Sequence, residues 1–369
     1  MNHPVPLVDL QAQMAEILDV VRPKVDEILR SAAFVGGPEV AAFEHAYAAY
    51  VEARHCIGVG NGTDAVELAL RAVGIGPGDE VIVPANTFVA TAEAVARTGA
   101  RTVFVDVDDD ALLMAPEAVK SAATERTRAV VPVHLYGQTA PVDEIAAAVA
   151  HVQARVVEDA AQSQGARRHG FGSGALGEVA ATSFYPGKNL GAAGDAGAVT
   201  TNDDTIAARV RSLSNHGSPV KYVHEIVGFN SRLDALQAVV LRAKLDRLEA
   251  WNEARRVAAD RYGDLLADVD GVRLPAVLPG NLPVWHLYVV RVADRDRVLG
   301  EMQRDGIGAG LHYPVPVHLT PAFGGAHRTG EFPVAEAAAG QILSLPMHPH
   351  LTVTDQERVV DSLRRALAG

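Results

Sequence analysis

Short apolar runs alternate with alanine-rich stretches between residues 55 and 201, and this alternation constrains the fold most. Each run has the length of one strand, and the stretches between have the length of short helices. Continuously apolar strands with helical crossovers indicate a parallel sheet covered on both faces. The seven runs are HCIGVG (55–60), EVIVPA (80–85), RTVFVDV (101–107), RAVVPVHLYG (128–137), ARVVEDA (154–160), VAATSFY (179–185) and AGAVTT (196–201).

Candidate helices lie between the first five runs, near residues 64–73, 88–98, 114–123 and 141–152. The last two runs follow each other closely, as neighbouring strands joined without a helix do. The sequence therefore predicts an α/β fold: three α/β/α layers with a mostly parallel seven-stranded sheet, plus a smaller C-terminal α+β domain.

Helical patterns also flank this core. Residues 12–30 and 38–53 are amphipathic and are separated by a Gly36-Gly37-Pro38 break. A long run rich in alanine, leucine and arginine predicts a helix from about Arg232 to Leu266.

The C-terminal part is predicted to hold a strand at 285–292 and helices at 294–305, near 333–341 and at 354–368. The Pro- and Gly-rich segment 275–283 marks the change of pattern before it. We expect a large domain over residues 1–250, with an N-terminal helical segment 1–54, and a small domain over 251–369.

Charge and cysteine content exclude several classes of function. The 45 acidic and 33 basic residues give a net charge of −12, which argues against nucleic acid as a partner. An anionic small molecule would need a locally basic pocket. Cys56 is the single cysteine, so no internal disulfide or cysteine-based metal cluster is possible. HExxH is missing and MHPH (347–350) is isolated, so no metal is predicted.

The start of the chain, MNHPVPLVDLQAQ, has no basic stretch followed by an apolar run, as a signal peptide would. No apolar run approaches the roughly 18 residues that a membrane-spanning helix needs. We expect a cytoplasmic protein without a membrane partner.

The first strand ends in GVGNGTDAVELAL (58–70), where Asn61-Gly62 predicts a tight turn. Thr63 or Asp64 could cap the next helix, whose free N–H groups suit a phosphate. An ordinary strand-to-helix turn explains these residues equally well.

Two acidic residues, Glu158 and Asp159, end another apolar strand, and strand alternation lets only one of them point to a given face. Either carboxylate could simply cap the next segment. Lys188 follows a later strand in a loop of small and apolar residues, where loss of solvent would lower its pKa and make it a nucleophile. A lysine for the aldehyde, an aspartate for the pyridine nitrogen and a helix end for the phosphate together fit pyridoxal 5'-phosphate.

Five ordered segments then carry a resemblance that covers nearly the whole chain. It is similar to the DegT–StrS family of pyridoxal-phosphate-dependent sugar aminotransferases, which have the aspartate-aminotransferase fold (fold type I). The segments are NGTDA (61–65), PANTFVATAEAV (84–95), VVEDAAQSQGA (156–166), SFYPGKNLG (183–191) and GFNSRLDALQAVVL (228–241).

The resemblance implies roles around the cofactor ring. Lys188 matches the lysine that forms the Schiff base, and Asp159 matches the carboxylate that keeps the ring nitrogen protonated. Gln162 matches an amide near the ring hydroxyl, and Phe88 an aromatic residue that stacks on the ring. Phe88 could instead pack in the core, and Gln162 could be a local hydrogen bonder.

Other positions are implied to bind the phosphate, namely Gly62, Thr63 and Ser183. Asn230 resembles an asparagine that reaches the phosphate from the neighbouring subunit, which implies a homodimer with shared active sites. Ser183 could instead be a local hydrogen bonder, and Asn230 could cap the long helix.

Four residues are candidates for substrate binding: Tyr185, Lys221, His312 and Tyr313. His312 and Tyr313 precede a proline-broken segment, as in family members where they line the sugar pocket. Lys221 could supply the positive charge that a nucleotide diphosphate needs.

The resemblance implies amino transfer from L-glutamate to a nucleotide-linked keto-deoxysugar. Segment 183–199 looks most like enzymes that aminate the C3 ketone of a dTDP-3-keto-6-deoxyhexose, in amino-sugar pathways for antibiotics and surface polysaccharides. Ala92 stands where those enzymes often have tryptophan and where enzymes of UDP-linked sugars often have alanine. A C4-ketosugar or UDP-ketosugar therefore stays open.

Two other functions stay open as well. Family members that dehydrate sugars carry histidine in place of the lysine, and Lys188 argues against that reaction. A pyridoxal-phosphate-binding sensor without turnover is the alternative of a different class, although no basic nucleic-acid-binding region accompanies it.

Overall fold

The computed structural model describes residues 3–369. Its strands are β1 (His55–Val59), β2 (Glu80–Pro84), β3 (Arg101–Val105), β4 (Thr127–Val130), β5 (Arg155–Asp159), β6 (Arg167–Arg168), β7 (Phe171–Gly172), β8 (Val179–Ser183), β9 (Gly197–Thr201), β10 (Val272–Arg273), β11 (Asn281–Leu282), β12 (Tyr288–Val292) and β13 (Ile342–Leu345). Its α-helices are α1 (Leu10–Ala15), α2 (Leu18–Ser31), α3 (Pro38–Tyr50), α4 (Gly62–Ala72), α5 (Val89–Thr98), α6 (Pro116–Ala122), α7 (Val142–Val149), α8 (Asp204–Ser214), α9 (Ala235–Leu266), α10 (Arg295–Arg304), α11 (Pro333–Ala339) and α12 (Val353–Ala368).

A seven-stranded sheet forms the centre of the large unit, in the order β1-β9-β8-β5-β4-β2-β3. Strand β9 pairs antiparallel with β1 and β8, and the remaining neighbours pair parallel. The predicted α/β fold with a mostly parallel sheet is confirmed. All strands except β9 run the same way, so their carboxyl ends meet at one edge, where open α/β sheets bind ligands.

Helices cover both faces of this sheet because successive side chains of each strand point to opposite sides. Val81 and Val83 pack into a cluster with α4 and α5, whereas Ile82 packs with α6 and α7. A third cluster joins α3 and α9 around Phe43 and Tyr47.

The run 128–137 is a shorter strand than predicted, because β4 ends at Val130. Pro132 follows and has no N–H to donate to a neighbouring strand. The chain then forms a single 3-10 turn at Leu135–Gly137, in which Tyr136 has a φ of 61°. This early exit places Tyr136 at the ligand-binding edge of the sheet.

The helical predictions hold with two changes. The segment 12–30 divides into α1 and α2, with a break at Glu16–Ile17. The long helix begins at Ala235 and is preceded by Asp234. Capping by Asn230 is therefore wrong, since that residue lies five positions before the first helical one. No helix in the described part of the chain is long and apolar enough to cross a membrane.

The C-terminal unit has a three-stranded antiparallel sheet, β10-β12-β13, packed with α10 and α12. Sequence analysis missed β13. Helix α9 runs through the predicted boundary at residue 250, and its later residues Ala258 and Tyr262 join this second core. Val5 joins it too, through backbone hydrogen bonds with Gly306 and Gly308. The division at residue 250 stays a prediction.

Candidate active site

Asp159 ends β5 at the carboxyl edge of the sheet and is 6% exposed. Its carboxylate accepts hydrogen bonds from the hydroxyl of Thr91 at 2.7 Å and the N–H of Ala161 at 3.2 Å. Glu158 points to the opposite face, where it accepts from His134 Nε2 at 2.8 Å and from three backbone N–H groups. Of these two carboxylates, only Asp159 is therefore available to a ligand at this edge.

Lys188 lies in the loop after β8, where its backbone N–H donates to the carbonyl of Tyr185. The side chain is largely shielded from water, and this burial lowers its pKa to about 8, while the negative charge of Asp159 acts in the opposite direction. A lysine with such a pKa has an appreciable fraction of free amine near neutral pH, as an aldehyde-binding nucleophile needs.

Asn61 caps helix α4, with its side chain accepting from the N–H of Asp64 at 2.8 Å. Capping by Thr63 or Asp64 is therefore wrong, but the helix does begin at the predicted turn. A Cβ placed on Gly62 would lie 2.5 Å from Cβ of Ser183. Glycine thus lets the start of α4 and the end of β8 form one narrow cradle of N–H and hydroxyl donors, which suits a phosphate.

Gly62→Ala tests this cradle. Because the added methyl group cannot share the space of Ser183, we expect the cofactor to bind about tenfold more weakly or worse, as lost charge-assisted hydrogen bonds to a phosphate would cause. Equilibrium dialysis of the cofactor measures this. The control is Gly76→Ala, where a Cβ meets nothing within 4 Å. Equal affinities in the two variants would contradict a phosphate site at Gly62.

Phe88 precedes α5 and is 51% exposed, so its ring is not packed in the core and that alternative is wrong. The ring lies 5.2 Å from that of Tyr313, measured between centroids. Gln162 joins them, because its Oε1 accepts the N–H of Tyr136 at 2.7 Å and its Nε2 donates to the hydroxyl of Tyr313 at 3.2 Å. The flat Phe88 ring and the Gln162 amide thus lie at one site with Tyr313.

His312 also belongs to this site. Its Nδ1 lies 2.8 Å from the Ser344 hydroxyl, and its carbonyl accepts from the hydroxyl of Tyr136 at 2.6 Å. Burial and the nearby Lys188 lower the pKa of His312 to about 4, so the imidazole is neutral at pH 7. Tyr185, predicted as a substrate contact, is 59% exposed beside the Lys188 turn.

Lys221 and Asn230 are not brought to this site by contacts within residues 3–369. Both are exposed in the segment between α8 and α9. The ammonium of Lys221 lies 5.0 Å from the ring of Tyr222, and Asn230 pairs with Asn215. Next to Asn230, the buried Ser231 accepts the N–H of Gly60 and donates to Asp64, so this segment is fixed against the start of α4.

Sequence reasoning missed several residues that shape the site: Thr91, Tyr136, Asn189, Ser231 and His286. Thr91 lies inside the segment 84–95, but nothing in the sequence indicates that its hydroxyl contacts Asp159. The sequence pattern placed Tyr136 and His286 in strands and indicated no role for them in the site.

The residues at this edge fit pyridoxal phosphate. An amine with a lowered pKa, a buried carboxylate, a helix N-terminus against a serine and an exposed aromatic ring lie at the carboxyl edge of the central sheet. Together with the fold, this set defines the class as enzymes that use pyridoxal phosphate.

The family model described as the DegT/DnrJ/EryC1/StrS aminotransferase family matches residues 17–364. The chain belongs to this family, and its cofactor is pyridoxal 5'-phosphate.

Two relatives and one solved structure are particularly similar to this chain. A dTDP-3-amino-3,4,6-trideoxy-alpha-D-glucose transaminase of Streptomyces venezuelae is 47% identical over 98% of this chain and 95% of its own length. A UDP-N-acetyl-3-dehydro-alpha-D-glucosamine 3-aminotransferase of Acidithiobacillus ferrooxidans is 43% identical over 100% of this chain and 99% of its own length. The crystal structure of S. venezuelae DesV in complex with a ketimine intermediate is 47% identical, with a TM-score of 0.96 over 99% of this chain and 98% of that one.

Proposed function

We propose that this chain transfers an amino group from L-glutamate to the C3 ketone of a dTDP-3-keto-6-deoxyhexose. The observation that carries the proposal is Lys188 with its lowered pKa beside Asp159, at the edge that also holds the Gly62 cradle. The relative with 47% identity is named for a 3-amino dTDP-sugar and supports the substrate class.

Different residues of the chain have different roles toward the cofactor. The cofactor, when bound, supplies an aldehyde and an electron-withdrawing ring. Asp159 would hold the proton on the ring nitrogen, and Gly62, Thr63 and Ser183 would bind the phosphate.

The Lys188 amine would hold the aldehyde and, when free, would accept a proton from the donor carbon as a base and donate it again as an acid. Phe88 would supply a flat surface for the ring, and Gln162 would contact the ring hydroxyl. His312, which is neutral at pH 7, and Tyr313 would contribute to the site from the C-terminal unit, and Tyr185 would contribute from the large unit.

We also propose that the active enzyme is a cytoplasmic homodimer. Apolar residues around Lys221 and Asn230 are strongly exposed: Val227 by 94%, Tyr222 by 82% and Val220 by 65%. A second copy covering this segment would shield them and would bring Asn230 and Lys221 toward the partner's site. In that arrangement both residues would take part in an active site, which they do not do within a single chain.

The nucleotide has a second candidate. The relative with 43% identity is named for a UDP-sugar, and Ala92, where enzymes of UDP-linked sugars often have alanine, is fully buried in α5. A UDP-linked 3-ketosugar is therefore the alternative substrate, and a C4 ketone is the alternative position.

A substrate panel tests the proposal. The purified enzyme is first incubated with L-glutamate so that its cofactor carries the amino group. It is then offered 3-keto and 4-keto sugars linked to dTDP or UDP, which are generated in situ. The aminated sugar is measured. We expect kcat/KM for the dTDP-linked 3-ketosugar to exceed the others by about tenfold or more, as a difference of roughly 1.4 kcal/mol in transition-state binding gives.

The other outcomes are equally clear. Preference for UDP would overturn the nucleotide, and preference for a 4-ketosugar would overturn the position. A chain that binds the cofactor but does not respond to L-glutamate would favour another donor or the sensor.

A further inference from the structure

The turn at the start of α4, residues 60–63, packs tightly against two other parts of the chain. A Cβ placed on Gly197, the first residue of β9, would lie 2.5 Å from the carbonyl oxygen of Asn61. A Cβ placed on Gly60 would lie 3.2 Å from the hydroxyl oxygen of Ser231, in the segment before α9. The backbone of this turn is therefore confined by both the sheet and Ser231.

The hydroxyl of Ser231 makes two hydrogen bonds whose directions are fixed. Its oxygen accepts the N–H of Gly60 at 3.0 Å and lies 2.7 Å from Oδ2 of Asp64. A backbone N–H only donates, so the single hydroxyl hydrogen is left for the carboxylate. Ser231 thus joins the residue just before the 61–63 turn to the residue just after it.

Ser231 is itself held in place by the end of α8. The residue is 2% exposed, and its backbone N–H donates to the carbonyl of Ser214 at 2.9 Å. Two residues earlier, the N–H of Phe229 donates to the carbonyl of Leu213 at 2.7 Å. Helix α8 therefore fixes where the hydroxyl lies, and the hydroxyl in turn fixes Gly60 and Asp64.

Asp64 lies in the first turn of α4, where its negative charge would repel a phosphate bound at the same helix end. The structure pairs this charge with a cation. Oδ1 of Asp64 accepts from Nη1 of Arg97 at 3.2 Å, and Nε of Arg97 lies 2.8 Å from Oε2 of Glu67. Because Arg97 offsets the charge, Asp64 can accept from Ser231 without its full repulsion acting on a phosphate.

We propose that Ser231 is a positioning residue for the cofactor phosphate. By holding Gly60 and Asp64, it keeps residues 61–63 in the shape that binds the phosphate before the cofactor arrives. Arg97 supports the same turn by balancing the charge of Asp64. The inference rests on the proposed function only in taking this turn as the phosphate site.

Dependence on the phosphate separates this role from a general contribution to folding. Pyridoxal has the same ring and the same aldehyde as pyridoxal 5'-phosphate but carries no phosphate. A turn that is fixed in advance favours only a ligand whose phosphate binds there. A defect confined to the turn should therefore weaken binding of the phosphorylated ligand alone, whereas a general loss of structure should weaken binding of both.

Ser231→Ala tests the proposal in the cofactor-free enzyme, with both dissociation constants measured by equilibrium dialysis. We expect pyridoxal phosphate to bind about tenfold more weakly, at the low end of the effect of one hydrogen bond to a charged group. The affinity for pyridoxal should be unchanged. Ser214→Ala is the control, because it removes a hydroxyl that is also buried, at 4% exposure, but donates to the carbonyl of Arg211. It should change neither affinity.

Arg97→Gln tests the charge balance. With the charge of Asp64 no longer offset, pyridoxal phosphate should bind about threefold more weakly at low ionic strength, as one charge near a helix end causes. The difference from wild type should shrink at high salt, since the Arg97 side chain is 40% exposed and mobile ions then screen Asp64. Pyridoxal should again bind as in wild type.

An unchanged affinity for pyridoxal phosphate in Ser231→Ala, or an equal loss for both ligands, overturns the proposal. If that variant does not fold, an unchanged affinity in Arg97→Gln overturns it equally. A wild type that bound both ligands equally well would overturn the phosphate site itself, together with this inference. Neither measurement needs an amino donor or a sugar, so failure of the proposed sugar amination would leave both readouts intact.

Discussion

Lys188→Ala should remove the absorbance band of the lysine-bound cofactor, near roughly 410–430 nm, and should lower kcat by about a thousandfold or more. In the proposed mechanism, the variant lacks both the amine that binds the aldehyde and the group that carries the proton. Burial lowers the pKa of this amine to about 8, so the amine is largely protonated below that pH. Uptake of the aldehyde by cofactor-free wild type should therefore rise through pH 8. Absorbance spectra of wild type and Lys188→Ala, with and without L-glutamate, measure the loss of the band.

The chain supplies a matched control in Lys244. This lysine is 2% exposed on α9, and burial lowers its pKa to about 8 as well, but no carboxylate acts on it. Lys244→Ala should keep both the absorbance band and the response to L-glutamate. A band that persists in Lys188→Ala and disappears in Lys244→Ala would reassign the aldehyde-binding lysine.

Asp159→Asn should have the second largest effect, because it removes a charge while keeping the size of the side chain. Without the carboxylate, the pKa of the cofactor's ring nitrogen should fall by about one to three units. The unprotonated ring absorbs electrons poorly, so we expect the single-turnover rate with L-glutamate to fall by about a hundredfold. Cofactor affinity should fall much less, since the Gly62 cradle is unchanged.

Glu158→Gln provides the comparison for Asp159→Asn. It makes the same chemical change one residue earlier, on the opposite face, where the buried carboxylate accepts from His134 and three backbone N–H groups. Thermal unfolding should occur at a lower temperature, because one of the two accepting oxygens becomes an NH2 group that faces N–H donors in a buried network. The turnover rate of the folded enzyme should stay close to wild type. An equal kinetic loss in both variants would refute a specific role for Asp159.

The central sheet was predictable because each strand is apolar throughout and bounded by a clear break. The runs 55–60, 80–85 and 196–201 differ from β1, β2 and β9 by one residue. The run 128–137 was predicted too long because apolar residues continue after β4 ends at Val130, where only an isolated bridge from Val133 to Asp159 continues the pairing. Strand β13 was missed because ILSL is too short to distinguish a strand from a helix by periodicity.

The site was predictable only where the chemistry lies within a continuous motif. Asp159 ends a strand, and Gly62 and Lys188 each follow one, so the topology brings them to one edge. Tyr136 and His286 carry no such signal. Tyr136 reaches His312 across 176 positions of sequence, and His286 reaches Asn189 across 97. Such contacts depend on how the C-terminal unit packs against the sheet, which no local pattern encodes.

The pairing of Val5 with Ile307 has a consequence for the order of folding. Val5 belongs to a core whose other buried members lie from Ala258 onward and are therefore made much later. The large sheet can assemble from neighbouring segments during synthesis, whereas Val5 finds its partner only after about 300 further residues have been added. The segment around Val5 must therefore stay unpaired until the segment around Ile307 has been made.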